Sequence, residues 1–138
     1  MIIFIICSKR FYGEIPAIQE FLASRGHEII LPNHYDDPSS EDRVRALGED
    51  EHRLWKAEAI RMSYGKVEAC DAVLVINMTK EGDENYIGGA TFLEMYDAFK
   101  LGKKIYLYNC LPHSILRDEI IGFNVVCLHQ ELSRIGVM

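Results

Sequence analysis

Two short apolar runs, Ile2 to Ile6 (Ile-Ile-Phe-Ile-Ile) and Ala72 to Ile76 (Ala-Val-Leu-Val-Ile), constrain the fold more than any other feature. Neither run alternates with polar residues. A strand of this kind must be covered on both faces, which is the situation of a parallel sheet between two layers of helices. The intervening segments supply those helices. The spacing of Ile15, Ile18, Phe21 and Leu22 predicts a helix over Glu14 to Arg25, closed by Gly26. A short strand over Glu28 to Leu31 ends at Pro32, and the turn residues Asp36-Asp37-Pro38-Ser39 mark a polar loop from Asn33 to Ser40. A long helical stretch follows over Ser40 to Glu68, broken near Gly48, with Leu54, Trp55, Ala59 and Met62 along one side.

The second half repeats the rhythm. A loop over Asn77 to Ile87 leads into a helix over Gly88 to Leu101, closed by Gly102. Strands over Ile105 to Tyr108 and Asn124 to Leu128 flank a short helix near Ser114 to Ile121. Strands alternating with helices imply right-handed βαβ units. Five strands in one domain of 138 residues favour a flavodoxin-like α/β sandwich of three layers, with a five-stranded parallel sheet in the order 2-1-3-4-5.

Composition narrows the function classes. A net charge of -6 argues against binding polymeric nucleic acid, which requires a basic face. No apolar run approaches the roughly 20 residues of a membrane span. The four cysteines, Cys7, Cys70, Cys110 and Cys127, have no close pairing, which fits reduced thiols in a cytoplasmic protein. The five histidines fall in different segments without metal spacing, so neither a metal nor another cofactor is expected.

In an open parallel sheet, ligands bind beyond the carboxyl ends of the strands where the strand order reverses. Here that point lies between strands one and three, and the loops there are Cys7 to Gly13 and Asn77 to Gly89. Gly88 and Gly89 open a helix whose free N–H groups and dipole favour an anion, although two glycines before a helix are also ordinary turn chemistry. On a helical wheel Ala90, Glu94, Ala98 and Leu101 share a face of mostly small residues, which would set Glu94 against the strand ends. A carboxylate so placed has a raised pKa unless the helix N-terminus, Lys9 or Arg10 offsets it, and it suits a nucleophile or a general base. The plain alternative is a surface glutamate paired with Lys100 or Lys104.

A second stripe, Phe92, Met95, Tyr96 and Phe99, lies nearly opposite and needs either a neighbouring helix or a second subunit, which favours a homo-oligomer. Ser8, Lys9 and Arg10 can hold a phosphate or align Glu94, or form an exposed basic turn. Phe11 and Tyr12 can stack on a base or form a hydrophobic lid. Asn77 and Asn109, at strand ends, are further polar contacts. Asp71 reads as structural. Cys7 and Cys110 end strands without an evident base beside them.

The stretch from Cys70 to Leu107 carries a resemblance. Cys-Asp-Ala-Val-Leu-Val-Ile-Asn, followed by Tyr-Ile-Gly-Gly-Ala-Thr-Phe-Leu-Glu-Met-Tyr-Asp-Ala-Phe-Lys-Leu-Gly-Lys-Lys-Ile, resembles the nucleoside 2-deoxyribosyltransferase superfamily, which includes deoxynucleoside 5′-monophosphate N-glycosidases. Glu94, Ala98, Gly102 and Lys103 match its pattern. The front end, from Ile-Cys-Ser-Lys-Arg-Phe to Arg-Gly-His-Glu-Ile-Ile-Leu-Pro, is similar to its first βαβ entry.

The resemblance implies that Glu94 is a nucleophile attacking C1′ of a deoxyribosyl group, and that a base or water resolves the glycosyl-enzyme. It implies a nucleoside or nucleotide ligand, and on that reading Ser8, Lys9, Gly88, Gly89 and Thr91 are expected at the sugar or phosphate. Six residues before the glutamate, the transferases carry a base-holding Asp and the monophosphate glycosidases a phosphate-binding Ser. This chain has Gly88 there. A further base-reading Asp of the transferases has Ser63 as its rough counterpart. Two other classes stay open: a nucleotide-binding module without catalysis, and an oligomeric interaction domain.

Overall fold

Phe4 and Ile6 turn to one side of the sheet and Ile3 and Ile5 to the other, and all four are fully buried. This is the physical content of the unbroken apolar run. The computed structural model describes residues 1–137. It contains the strands β1 (Ile2–Ile6), β2 (Glu28–Ile30), β3 (Ala72–Val75), β4 (Lys104–Leu107) and β5 (Val126–Cys127). All pairings are parallel and the order is β2-β1-β3-β4-β5, as the sequence predicts.

The helices are α1 (Ile15–Ser24), α2 (Ser40–Arg45), α3 (Glu49–Ala69), α4 (Gly89–Lys100) and α5 (Arg117–Gly122). One core layer joins Ile3, Ile5, Ala72 and Leu74 to Ile15, Ile18 and Leu22 of α1. The other joins Phe4, Ile6, Val73 and Val75 to Val67 of α3, Met95 and Ala98 of α4, and Ile120 of α5. Burying one such aliphatic side chain stabilises the fold by about 1.5–3 kcal/mol, so β1 and β3 anchor both layers.

Register at the centre is fixed by a carboxylate. Asp71 Oδ2 accepts from the Ile2 N–H at 2.7 Å, and the Asp71 N–H donates to the Ile2 carbonyl at 2.8 Å. The structural reading of Asp71 therefore holds.

Several boundaries differ from the sequence reading. Lys9–Glu14 forms a 3-10 helix where only a loop was expected, with Ser8 accepting from the Arg10 N–H at 3.3 Å. The break near Gly48 is real: Gly48 has φ +135 and precedes α3. The buried edge of α3 is not the predicted one, because Leu54 and Met62 are exposed while Ser63 and Val67 are buried. On α4 the sheet-facing residues are Thr91, Met95 and Ala98 rather than the Ala90–Glu94–Ala98–Leu101 face. Met95 thus leaves the outer stripe. The rest of that stripe finds a partner in its own chain, since Phe92, Tyr96 and Phe99 all lie against Phe123, at ring separations of 5.5, 6.3 and 5.3 Å. Among the described residues no helix is long and apolar enough to cross a membrane.

Candidate active site

Beyond the carboxyl ends of β1 and β3 the chain encloses a cavity of about 310 Å³, at the small end of the roughly 300–1,000 Å³ found for ligand pockets. Its floor is the start of α4. Gly88 caps that helix in an extended conformation with no side-chain hydrogen bond to it, and Gly88, Gly89, Ala90, Thr91 and Glu94 all line the space. One wall comes from Cys7, Ser8, Lys9 and Tyr12 after β1. The opposite wall comes from the loop after β2 and from α3, with Asn33, His34, Trp55, Lys56 and Ser63. The site therefore opens toward β2, not toward β4.

Glu94 is the chemical centre. Its side chain is half-buried between α3 and α4, and loss of hydration pushes its pKa up to about 7. A hydrogen bond with Ser63 and the charges of Lys66 and Lys56 oppose the rise, while Asp97 adds to it. The cations that moderate Glu94 thus come from α3. Lys9 and Arg10 face Asp42 and Glu81 instead, at 3.4 and 3.6 Å. Lys100 pairs with Asp97 at 3.5 Å, so Glu94 is not its surface partner.

The neighbours respond to the same environment. Burial, and then the Glu94 charge, push the Cys7 thiol up to about 12, which keeps it protonated and unsuited to nucleophilic attack. Burial, with Cys7 and Glu94, also raises the Tyr12 phenol. Burial lowers Lys66, with Glu94 and Asp36 opposing. At the rim, burial raises Glu41, but hydrogen bonds from His52 (2.9 Å) and Lys56 (3.0 Å) outweigh it and hold the carboxylate below its usual value.

Of the residues singled out in the sequence, Ser8, Lys9, Gly88, Gly89, Thr91 and Glu94 meet at the cavity. Three do not. Phe11 is buried in the core under α1, leaving Tyr12 as the aromatic on the cavity. Asn77 is fully buried: its Nδ2 donates to the Cys110 carbonyl at 2.8 Å, and its Oδ1 accepts from the Asn109 N–H at 3.0 Å. Asn109 Nδ2 returns a bond to the Asn77 carbonyl at 3.0 Å. These two asparagines clamp the ends of β3 and β4 and leave no donor for a ligand in the cavity.

The cysteine reading needs a correction as well. Cys110 Sγ lies 3.1 Å from His129 Nδ1, so a base does stand beside it, outside the cavity. Among the described residues no three His, Cys, Asp or Glu side chains gather in metal-binding proximity.

The sequence reading missed Asn33, His34, Trp55, Lys56 and Tyr86 as cavity residues, while Ser63, named there only as the counterpart of a base-reading Asp, does line the cavity. His34, in the left-handed region at φ +60, stacks on Trp55 with ring centroids 4.7 Å apart. A usable signal was present in α3, where Trp55, Ala59, Ser63 and Val67 recur every four residues and make one continuous face. Tyr86 lies against the glycine at 88. A Cβ there would stand 3.2 Å from the Tyr86 hydroxyl, and Lys80 Nζ sits over the same ring at 4.6 Å. No family model matches the chain, and no curated protein matches it.

Proposed function

We propose that the protein cleaves or transfers the N-glycosyl bond of a nucleoside or nucleotide, with Glu94 as nucleophile. The observation that carries this reading is the Glu94 carboxyl, partly dehydrated yet still ionisable near neutral pH, in a cavity that also offers aromatic faces and a free helix N-terminus. Trp55, His34 and Tyr12 suit a planar base. The N–H groups of Gly89, Ala90 and Thr91 suit the oxygens of a sugar or phosphate, with Ser8 and Lys9 beside them.

In the ionised form a Glu94 oxygen bonds C1′ as the C1′–N bond breaks, and the bonding pair leaves with the base, which takes a proton from solvent. Water or a second base then attacks C1′ and frees the carboxylate, and the attacking water gives its proton to solvent. Because half of a group with pKa about 7 is ionised at pH 7, the rate rises through that range with increasing pH.

The test is incubation with 2′-deoxynucleosides and their 5′-monophosphates, following free base by chromatography. Turnover that vanishes in Glu94→Gln supports the reading; no free base from any substrate, or an equally active Glu94→Gln, overturns it.

One observation favours a binding role without turnover: the chain has no polar side chain at 88, and a Cβ there would press on the Tyr86 hydroxyl at 3.2 Å. A nucleotide that raises thermal stability by roughly 2.7 kcal/mol at about 100 times its dissociation constant, with no base released, identifies that case. Leu93, Tyr96 and Phe99 remain substantially exposed on the outer side of α4 and favour self-association there. A strictly monomeric sedimentation profile would count against it.

A further inference from the structure

Cys110 is the exposed member of the four free cysteines. The other three are withdrawn from solution chemistry. Cys70 is buried, and its Sγ donates to the Val67 carbonyl at 3.1 Å. Burial and the Glu94 charge keep Cys7 protonated, and burial also raises the half-buried Cys127. Cys110 differs in a second respect, because a base stands at its sulfur: His129 Nδ1 lies 3.1 Å away, within reach for proton transfer. The pair lines neither the Glu94 cavity nor the adjoining cleft at Arg10 and Asp42, so the function proposed above makes no use of it.

The contact joins the segments that follow β4 and β5, and both backbones are pinned on either side of it. The Cys110 carbonyl accepts from Asn77 Nδ2 at 2.8 Å, and the Asn109 N–H donates to Asn77 Oδ1 at 3.0 Å. Across the gap, the Leu128 N–H donates to the Leu107 carbonyl at 2.8 Å and the Gln130 N–H to the Tyr108 carbonyl at 2.7 Å. Gln130 Nε2 then donates to Asn109 Oδ1 at 2.9 Å, directly beside the pair. His129 therefore sits between two residues tied to the β4 side. It and Gln130 both hold left-handed backbone, at φ +50 and +67, a region that residues with side chains seldom enter. The thiol and the imidazole meet because the chain is fixed around them.

We propose that Cys110 is a site of reversible modification, at which the thiol exchanges with a low-molecular-weight disulfide from solution and His129 serves as the base. Cys110 gives its proton to His129 Nδ1 as its sulfur bonds one sulfur of the disulfide. The S–S bond of the reagent breaks, and its electron pair leaves on the second sulfur as a thiolate, which takes the proton back from His129. Cys110 is thereby oxidised to a mixed disulfide and half of the reagent is reduced to a thiol. A free thiol reverses the step by the same path. An open, exposed sulfur suits such a reagent, because a small disulfide needs no enclosing pocket to reach it.

The experiment is incubation of the native protein with glutathione disulfide, an acid quench at intervals, and peptide mass mapping to place the adduct. The adduct should form on Cys110 ahead of the other three cysteines, and Cys110→Ser should abolish this early product. In the chain unfolded in urea, where His129 no longer stands beside the sulfur, Cys110 should react about tenfold more slowly than in the fold. His129→Asn removes the base and keeps a residue that tolerates left-handed backbone. It should slow the native reaction about tenfold at an unchanged melting temperature, and added imidazole should restore part of the rate. If that variant does not fold, the comparison of native with unfolded wild type decides alone. No adduct, a first adduct on another cysteine, a native rate no faster than the unfolded one, or a folded His129→Asn that reacts like wild type overturns the proposal.

Discussion

Replacing Glu94 by Gln removes an ionisable proton at almost constant volume and keeps an oxygen able to accept from Ser63. The carboxyl rises from an ordinary 4.5 to about 7 in the fold, mainly because burial penalises its charge. Between those values the folded chain holds a proton that the unfolded chain has lost. Stability therefore falls as pH climbs from about 4.5 to about 7, and the loss is complete above that. At about 1.4 kcal/mol per pH unit the full effect is about 3 kcal/mol. Glutamine does not titrate, so Glu94→Gln should be about 3 kcal/mol more stabilising at pH 8.5 than at pH 4.5. Urea unfolding of both proteins at both pH values measures this, and the difference between differences cancels every other titrating group. For a chain of this size the gain at pH 8.5 corresponds to a rise of roughly 10 °C in melting temperature. Equal effects at the two pH values, within about 0.5 kcal/mol, would show that Glu94 does not titrate between them and would remove the physical basis for its chemistry.

Three further outcomes follow from single contacts. Trp55 is the sole tryptophan and lines the cavity, so a bound nucleoside should change its fluorescence, and Trp55→Ala should weaken binding roughly tenfold. Emission that stays constant while thermal shift reports saturation would place the ligand elsewhere. Asn77→Ala leaves the Cys110 carbonyl and the Asn109 N–H without their partner and should lower unfolding free energy by about 2–3 kcal/mol, with cavity affinity unchanged. A loss under about 0.5 kcal/mol in urea melts would contradict the clamp. Gly88→Ser pushes on the Tyr86 hydroxyl and should destabilise by about 1 kcal/mol, less so beside Tyr86→Phe; strictly additive effects in that double-mutant cycle would show that the two positions do not meet.

The sheet was legible in the sequence because its signal is local and redundant. Every residue of β1 from Ile3 to Ile6 is fully buried, and so is every residue of β3, so hydrophobicity alone marks both strands. Gly26 and Gly102, both with positive φ, mark the ends of α1 and α4 just as clearly. Strand order then follows from chain order and crossover handedness. Faces of helices were less legible. On α4, Ala90 and Ala98 look equivalent by type, yet Ala90 borders the cavity and Ala98 lies on the sheet. Only the pitch of the packed helix separates them.

The half of the site built on α4 and the loop after β1 was legible because topology names those loops in advance. The other half was not, because it is a pairing of distant segments. Asn33 lies in a stretch that reads as polar loop, and Ser63 interrupts what would otherwise be an apolar ladder of Trp55, Ala59 and Val67. A hydrophobic pattern treats that serine as noise. In the fold it is the reverse: a polar residue held at a buried ladder position, bonded at 2.8 Å to an asparagine 30 residues away, ties the loop after β2 to α3 at the cavity wall. The interruption in the α3 ladder is thus where the sequence marked the cavity wall, and a buried polar residue at core spacing is the more informative one to pursue.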